Sequence, residues 1–90
     1  MTVSRNDERS RYEGWSDDEI VSVMEYQRRG DVLVIIHTGT EPKSRGRGNA
    51  GELTEQALAD VRAQGWRVHP ICPFTVEYLD AHPEHDDLRV

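Results

Sequence analysis

Val32-Leu33-Val34-Ile35-Ile36, the loop Gly39 to Gly48, and the stretch Ala50 to Gln64 follow one another, and their order decides the fold. The first is a continuous β-branched and aliphatic run. Such a run reads as a central strand buried on both faces. The second has glycine, proline and arginine but no periodicity, so it is a loop. In the third the spacing becomes helical. Ala50, Leu53, Ala57, Leu58 and Val61 share one face, and Glu52, Glu55, Gln56, Asp60 and Arg62 face out. Gly65 stands where a helix-ending glycine is expected.

Working outward, Trp66 to Ile71 is a short strand. After a strand, a loop and a helix, it should pair parallel to Val32–Ile36 through a right-handed crossover. Pro73 to Ala81 is a second helix. Pro73 suits its first position, and Pro83 stops it near His82. Upstream, Glu19 to Arg28 alternates, with Ile20, Ser22, Met24 and Tyr26 on one side. Arg29-Gly30-Asp31 turns it back onto Val32–Ile36 as a hairpin. Arg9 to Trp15 reads as a short edge strand, and residues 1–8 as a frayed, disordered terminus. The order is β-β-β-α-β-α. This is a mixed α/β (α+β) domain over residues 9–90: antiparallel strands, a strand-loop-helix-strand unit and a C-terminal helix.

The chain has 90 residues and a formal net charge of −6. A domain of this size buries about 60% of the surface its unfolded chain exposes, so its core is thin. The acidic balance argues against a nucleic-acid binder, which needs a basic face. Asp17-Asp18-Glu19 and Glu84 to Asp87 read as solvated ends. Basic density is confined to Arg28-Arg29 and to Lys43, Arg45 and Arg47. The second cluster can serve one phosphate-bearing ligand. Cys72 is the only cysteine, so no internal disulfide forms, which suits a reducing cytoplasm. No segment approaches the ~20 apolar residues of a membrane span.

The chemistry lies in Arg45-Gly46-Arg47-Gly48-Asn49-Ala50. Two glycines and a small residue let the backbone pass close to a bulky anion. The loop then enters a helix, whose first N–H groups have no internal partner and carry partial positive charge. A pyrophosphate can accept those bonds, and Arg45 and Arg47 can add charge-assisted contacts. Gly46, Gly48 and Gly51 match the spacing of the dinucleotide fingerprint, but that motif belongs to a larger doubly wound sheet. The nucleoside-triphosphate loop needs a spacing that Gly39 and Lys43-Ser44 do not give.

These residues fit the signature of the GNAT (GCN5-related) N-acetyltransferases. The chain resembles the short single-domain members of that family. Besides the loop, the likeness is carried by Tyr26 and His37-Thr38, by Cys72-Pro73-Phe74 and by His82-Pro83-Glu84, across roughly residues 9–88. The resemblance implies binding of acetyl-coenzyme A. Its pyrophosphate would lie on the loop from Arg45, Gly46, Arg47 and Gly48 to Asn49 and Ala50. Its pantetheine arm would run beside Thr38, Gly39 and Thr40, and its thioester would end near Cys72. Asn49 stands where similar proteins carry an aliphatic residue; its side chain is expected to cap the helix. The helices that form the acceptor site in longer relatives have no counterpart here, so the acceptor side should be open.

Acetyl transfer needs a neutral amine, a route for its proton and a proton for the departing thiolate. Cys72, at the start of the second helix, can accept the acetyl group or line the pocket. Tyr78 corresponds to the tyrosine that protonates the departing coenzyme in many of these enzymes, and otherwise packs on Phe74. His37 can move a proton or be held by hydrogen bonds. Glu41 is a weaker base candidate. His69, Cys72, His82 and His85 have a loosely zinc-like spacing, but His69 and Cys72 point to opposite faces of a strand, and no metal is expected. The expected activity is transfer of acetyl to an amine, on a protein lysine or N-terminus among others, by a monomer or weak dimer. A non-catalytic coenzyme A-binding or interaction module is the alternative.

Overall fold

The computed structural model describes residues 1–90. Five strands form one sheet in sequence order: β1 (Thr2–Asn6), β2 (Arg11–Ser16), β3 (Glu19–Arg29), β4 (Val32–Thr40) and β5 (Arg67–Pro70). The first four make an antiparallel meander. β5 lies parallel to β4, from Val32 opposite Arg67 to Ile35 opposite Pro70. The crossover between them is helix α1 (Asn49–Gln64), and α2 (Pro73–Ala81) follows β5. Short 3-10 turns occupy Pro42–Ser44 and Pro83–Leu88. Downstream of Arg9 the order is the one that the sequence patterns give.

The N-terminus is a correction. Residues expected to be frayed supply β1, which pairs along β2 from Thr2 opposite Trp15 to Asn6 opposite Arg11. An outer strand needs only one dry face. Val3 packs against the core, and Arg5 reaches Asp60 on α1 at 2.6 Å. Thr2, Ser4 and Asn6 alternate onto the other face, which explains why the composition looks like a tail. β2 is therefore internal, and its Tyr12 is buried.

One core lies between the sheet and the two helices. Tyr12, Met24, Tyr26, Leu33 and Ile35 come from the sheet, Leu53, Ala57, Leu58 and Val61 from α1, and Val68 and Leu79 from β5 and α2. The helical face of α1 is the one that its spacing marks. Asp60 fastens it by accepting hydrogen bonds from Arg5 (2.6 Å) and the Tyr12 hydroxyl (2.7 Å). Gly65 takes the left-handed conformation (φ 76°) that closes the helix.

Two features of β4 differ from the expected strand. It is buried on one face only: Leu33 and Ile35 are sealed, whereas Ile36 is 42% exposed. Both helices lie on the same side of the sheet, and no further element covers the other. β4 also runs on through Gly39 to Thr40, in what the composition suggests is loop. A bulge makes Ile36 an extra residue between the pairs Tyr26–Ile35 and Glu25–His37.

Candidate functional site

β5 stops pairing at Ile35, so β4 from Ile36 to Thr40 is paired by β3 on one side and by no strand on the other. The chain turns away here: the N–H groups of Ile71 and Cys72 both donate to the Ile35 carbonyl, at 2.9 and 3.0 Å. The result is a splay between two parallel strands. A cavity of about 650 Å³ opens from it. Its walls are Ile20 to Val23 of β3, His37 to Thr40 of β4, Glu41, Pro42, Ser44, the loop residues Arg45, Gly46 and Gly48, the first turn of α1 (Asn49, Ala50, Gly51), and Phe74 of α2.

The loop has the backbone that anion binding requires. Gly46 (φ 80°) and Gly48 (φ 74°) are left-handed, which a side chain would resist, and a Cβ at either would meet nothing within 4 Å. Gly48 is the N-cap of α1 and brings no side-chain oxygen. The first helical hydrogen bond runs from Glu52 N–H to the Gly48 carbonyl (3.0 Å), leaving the N–H groups of Asn49, Ala50 and Gly51 without a capping group. The Asn49 side chain does not cap the helix as expected. It donates to the Ser44 carbonyl at 3.0 Å and ties the helix start to the 3-10 turn. Arg45 donates to the Thr40 carbonyl at 3.3 Å and stays on the wall, whereas Arg47 does not line the cavity.

Cys72 is the N-cap of α2, with Pro73 at the first helical position. Burial disfavours its thiolate. The N–H groups of Thr75 and Phe74, and the hydroxyl and N–H of Thr38, outweigh that and hold the thiol below its ordinary value. The residue is 5% exposed and lies behind Thr38 and Phe74 rather than on the cavity wall.

Tyr78 is also off the wall. Its ring stacks between Phe74 (6.1 Å) and His82 (3.9 Å), and its hydroxyl donates to Glu55 of α1. Burial and the Glu55 carboxylate push its acidity down. His85 Nε2 sits 3.0 Å from both oxygens of the same carboxylate, and its buried Nδ1 has no partner. The Tyr78 and His85 bonds hold Glu55 below the usual carboxylate range. His37 lies on the wall and is exposed. Its Nε2 approaches to 3.0 Å from where a Cβ on Gly39 would stand, so Gly39 is the residue that lets the ring lie down.

The four residues with zinc-like spacing go separate ways. His69 meets the Val90 carbonyl, His82 the Tyr78 carbonyl and His85 Glu55, while Cys72 turns to Thr38. No group of three or more potential ligands clusters anywhere in the chain. Of the residues expected to hold a cofactor, Thr38, Gly39, Thr40, Arg45, Gly46, Gly48, Asn49 and Ala50 share the cavity, and Arg47 and Cys72 do not. Sequence reasoning missed Ser44, Gly51, Phe74 and the β3 wall. Gly51 left a signal as the third glycine of the loop, and Phe74 as part of Cys72-Pro73-Phe74.

Residues 11–88 match the sequence profile described as GCN5-related N-acetyl-transferase. Among solved structures, a GCN5-like protein from Staphylococcus aureus, determined in solution by NMR, superposes with a TM-score of 0.70. The match covers 99% of this chain and 87% of that one at 16% identity, a level at which the likeness concerns fold alone. No curated protein matches.

Proposed function

The chain belongs to the GCN5-related N-acetyltransferase family, and from that membership we propose that it binds acetyl-coenzyme A in the β4–α1 cavity and passes the acetyl group to an amine. One observation carries the reading. The unpaired edge of β4, the left-handed glycines and the uncapped start of α1 line a single cavity. That donor set suits a pyrophosphate joined to an amide-bearing arm. The N–H groups of Asn49, Ala50 and Gly51 meet the phosphates, and Arg45 adds charge. The free edge of β4 from Ile36 to Thr40 receives the arm as an added strand.

When bound, the cofactor would supply an activated thioester for acetyl transfer to the amine, the coenzyme leaving as a thiolate that takes up the proton the amine gives up. The chain must keep the thioester carbonyl near the bulge at Ile36 and carry off the amine's proton. His37 is the wall residue with a suitable ring nitrogen. Cys72 is buried behind Thr38, off the cavity wall, and Tyr78 would have to leave Glu55 to act as an acid. A second reading, a module that holds the cofactor without turnover, is favoured by those same two placements. The buried lone cysteine suits a reducing cytoplasm, and no helix is long and apolar enough to cross a membrane.

Thermal unfolding with acetyl-coenzyme A, coenzyme A and ADP tests the reading. A ligand at about 100 times its dissociation constant adds roughly 2.7 kcal/mol, and each kcal/mol moves the midpoint of so small a domain by about 4–8 °C. The first two ligands should shift the midpoint, and Gly51→Glu, at an ordinary helical position on the wall, should abolish the shift. No shift with any of the three removes the reading. A shift without transfer to any of a panel of amines selects the binding module.

A further inference from the structure

We propose that the bare face of the sheet docks a protein acceptor and delivers one of its lysines to the cavity; the inference rests on the transfer reading above. The large apolar side chains left exposed are Ile36 (42%), Ile71 (57%) and Val90 (55%). They gather at one side of the molecule. Ile36 stands on the bare face of β4, and Ile71 follows β5 with its N–H on the Ile35 carbonyl. Val90 lies along the outer edge of β5, its N–H bonded to the Val68 carbonyl at 2.8 Å. Half-buried Val23 and Val34 extend the strip across the same face. A chain whose exposed large apolar side chains are these three presents an interaction surface here.

The strip leads into the cavity. The bulge turns Ile36 and His37 to the bare face, where His37 pairs in register with Glu25. His37 and Val23 also line the cavity, while Thr38 and Phe74 line it from the helix side. The site can thus be entered from both sides of the sheet, the glycine loop lying on one and the strip on the other. A small amine would need the cavity alone and leave the strip without use.

Charge selects the partner. Glu41 lines the cavity and Glu25 stands opposite His37 at its edge; both are exposed and without an ion pair, while Arg11 opposite Glu25 is held by Glu13 and Arg45 by the Thr40 carbonyl. The free cations of the face, Arg29 and Arg67, lie at its far end beside Val32, roughly 13 Å along β3 from Glu25. A partner's lysine is therefore drawn to the cavity end and its acidic groups to the other. A second copy laid on this face would cover the mouth and bring to it Arg29 and Arg67, which offer no acetyl-accepting amine.

The test uses a short fluorescein-labelled peptide of lysines and leucines and its glutamate counterpart, titrated by anisotropy into protein saturated with coenzyme A. Sedimentation velocity on the same samples reports self-association. The lysine peptide should bind and the glutamate peptide should not, with affinity falling as salt rises. Ile36→Asp and Glu25→Lys should each weaken binding about tenfold, and Glu77→Lys, on the outer side of α2, should not. The coenzyme A thermal shift should persist in Glu25→Lys and Glu77→Lys. Equal binding of the two peptides, no binding of either, indifference to Ile36→Asp, or a dimer that Ile36→Asp converts to monomer overturns the docking face. Lysine-peptide binding that obeys the variants in a protein showing no coenzyme A shift keeps the docking face and removes the transfer reading.

Discussion

Two side chains near the cavity have shifted proton affinities, and both shifts follow from their immediate neighbours. The Cys72 thiol is buried, which opposes ionisation, yet four donors from Thr75, Phe74 and Thr38 favour the thiolate. Removing the Thr38 hydroxyl should therefore raise the thiol value. Thr38→Val is expected to move the ultraviolet thiolate transition to higher pH with the fold intact; an unmoved transition would leave the helix start as the sole cause. The sign for stability follows. A thiol lowered on folding contributes in full above the ordinary thiol range, and the contribution is lost as pH falls through the folded value. Cys72→Ser should thus matter for stability more in alkali than at neutrality. Tyr78 is the opposite case, its proton held by burial and Glu55. Tyr78→Phe should leave the acetyl-coenzyme A shift unchanged and lower turnover by less than about tenfold. A loss of about 10²-fold or more is what removal of a general acid gives, and would return Tyr78 to the machinery.

At the scale of elements, what could be read in the sequence is what repeats within one element. α1 was legible because its dry face recurs at helical spacing, and the glycine loop because backbone freedom is written in residue type. β1 was not, because a strand outside a sheet needs few apolar residues and the helix residue that fastens it, Asp60, is remote in sequence. The bulge at Ile36 was not, because it arises from the register of two strands. The β3 side of the cavity wall escaped for the same reason: Ile20 to Val23 join it only when β3 pairs with β4. These elements give two predictions. Gly48→Ala keeps volume small but forces a left-handed φ on a side chain, at a cost on the order of 1–3 kcal/mol, so it should lower the unfolding midpoint even without ligand. β1 hangs partly on Asp60, whose carboxyl the Tyr12 and Arg5 bonds hold below its ordinary value against the opposing effect of burial. A lowered carboxylate stabilises above its unfolded value and loses that contribution as pH falls through the folded one. Acid below about pH 4 should therefore release β1 first, seen as faster amide exchange at Val3 to Arg5, and Asp60→Asn should give the same exchange at neutral pH.

The whole molecule is a two-layer structure with one dry interface, and its stability must be concentrated there. A chain of this length has a total of roughly 5–13 kcal/mol. Leu53 of α1 is fully buried against the sheet, while Ile36, similar in size and apolar character, stands on the bare face. Composition treats the two alike; the side of the sheet on which they stand does not. Leu53→Ala should remove about 2–5 kcal/mol by transfer and cavity effects together, a large part of the total. Ile36→Asp should change stability by about 0.5 kcal/mol or less, as exposed positions do. Urea unfolding of the two variants beside the parent protein measures both. If Ile36→Asp proved as costly as Leu53→Ala, the second face would be covered in the folded protein, by a partner copy or by a different path of the chain. The entry route argued for the acceptor would then be closed. If the two separate as expected, the face is free in the monomer and available to a partner.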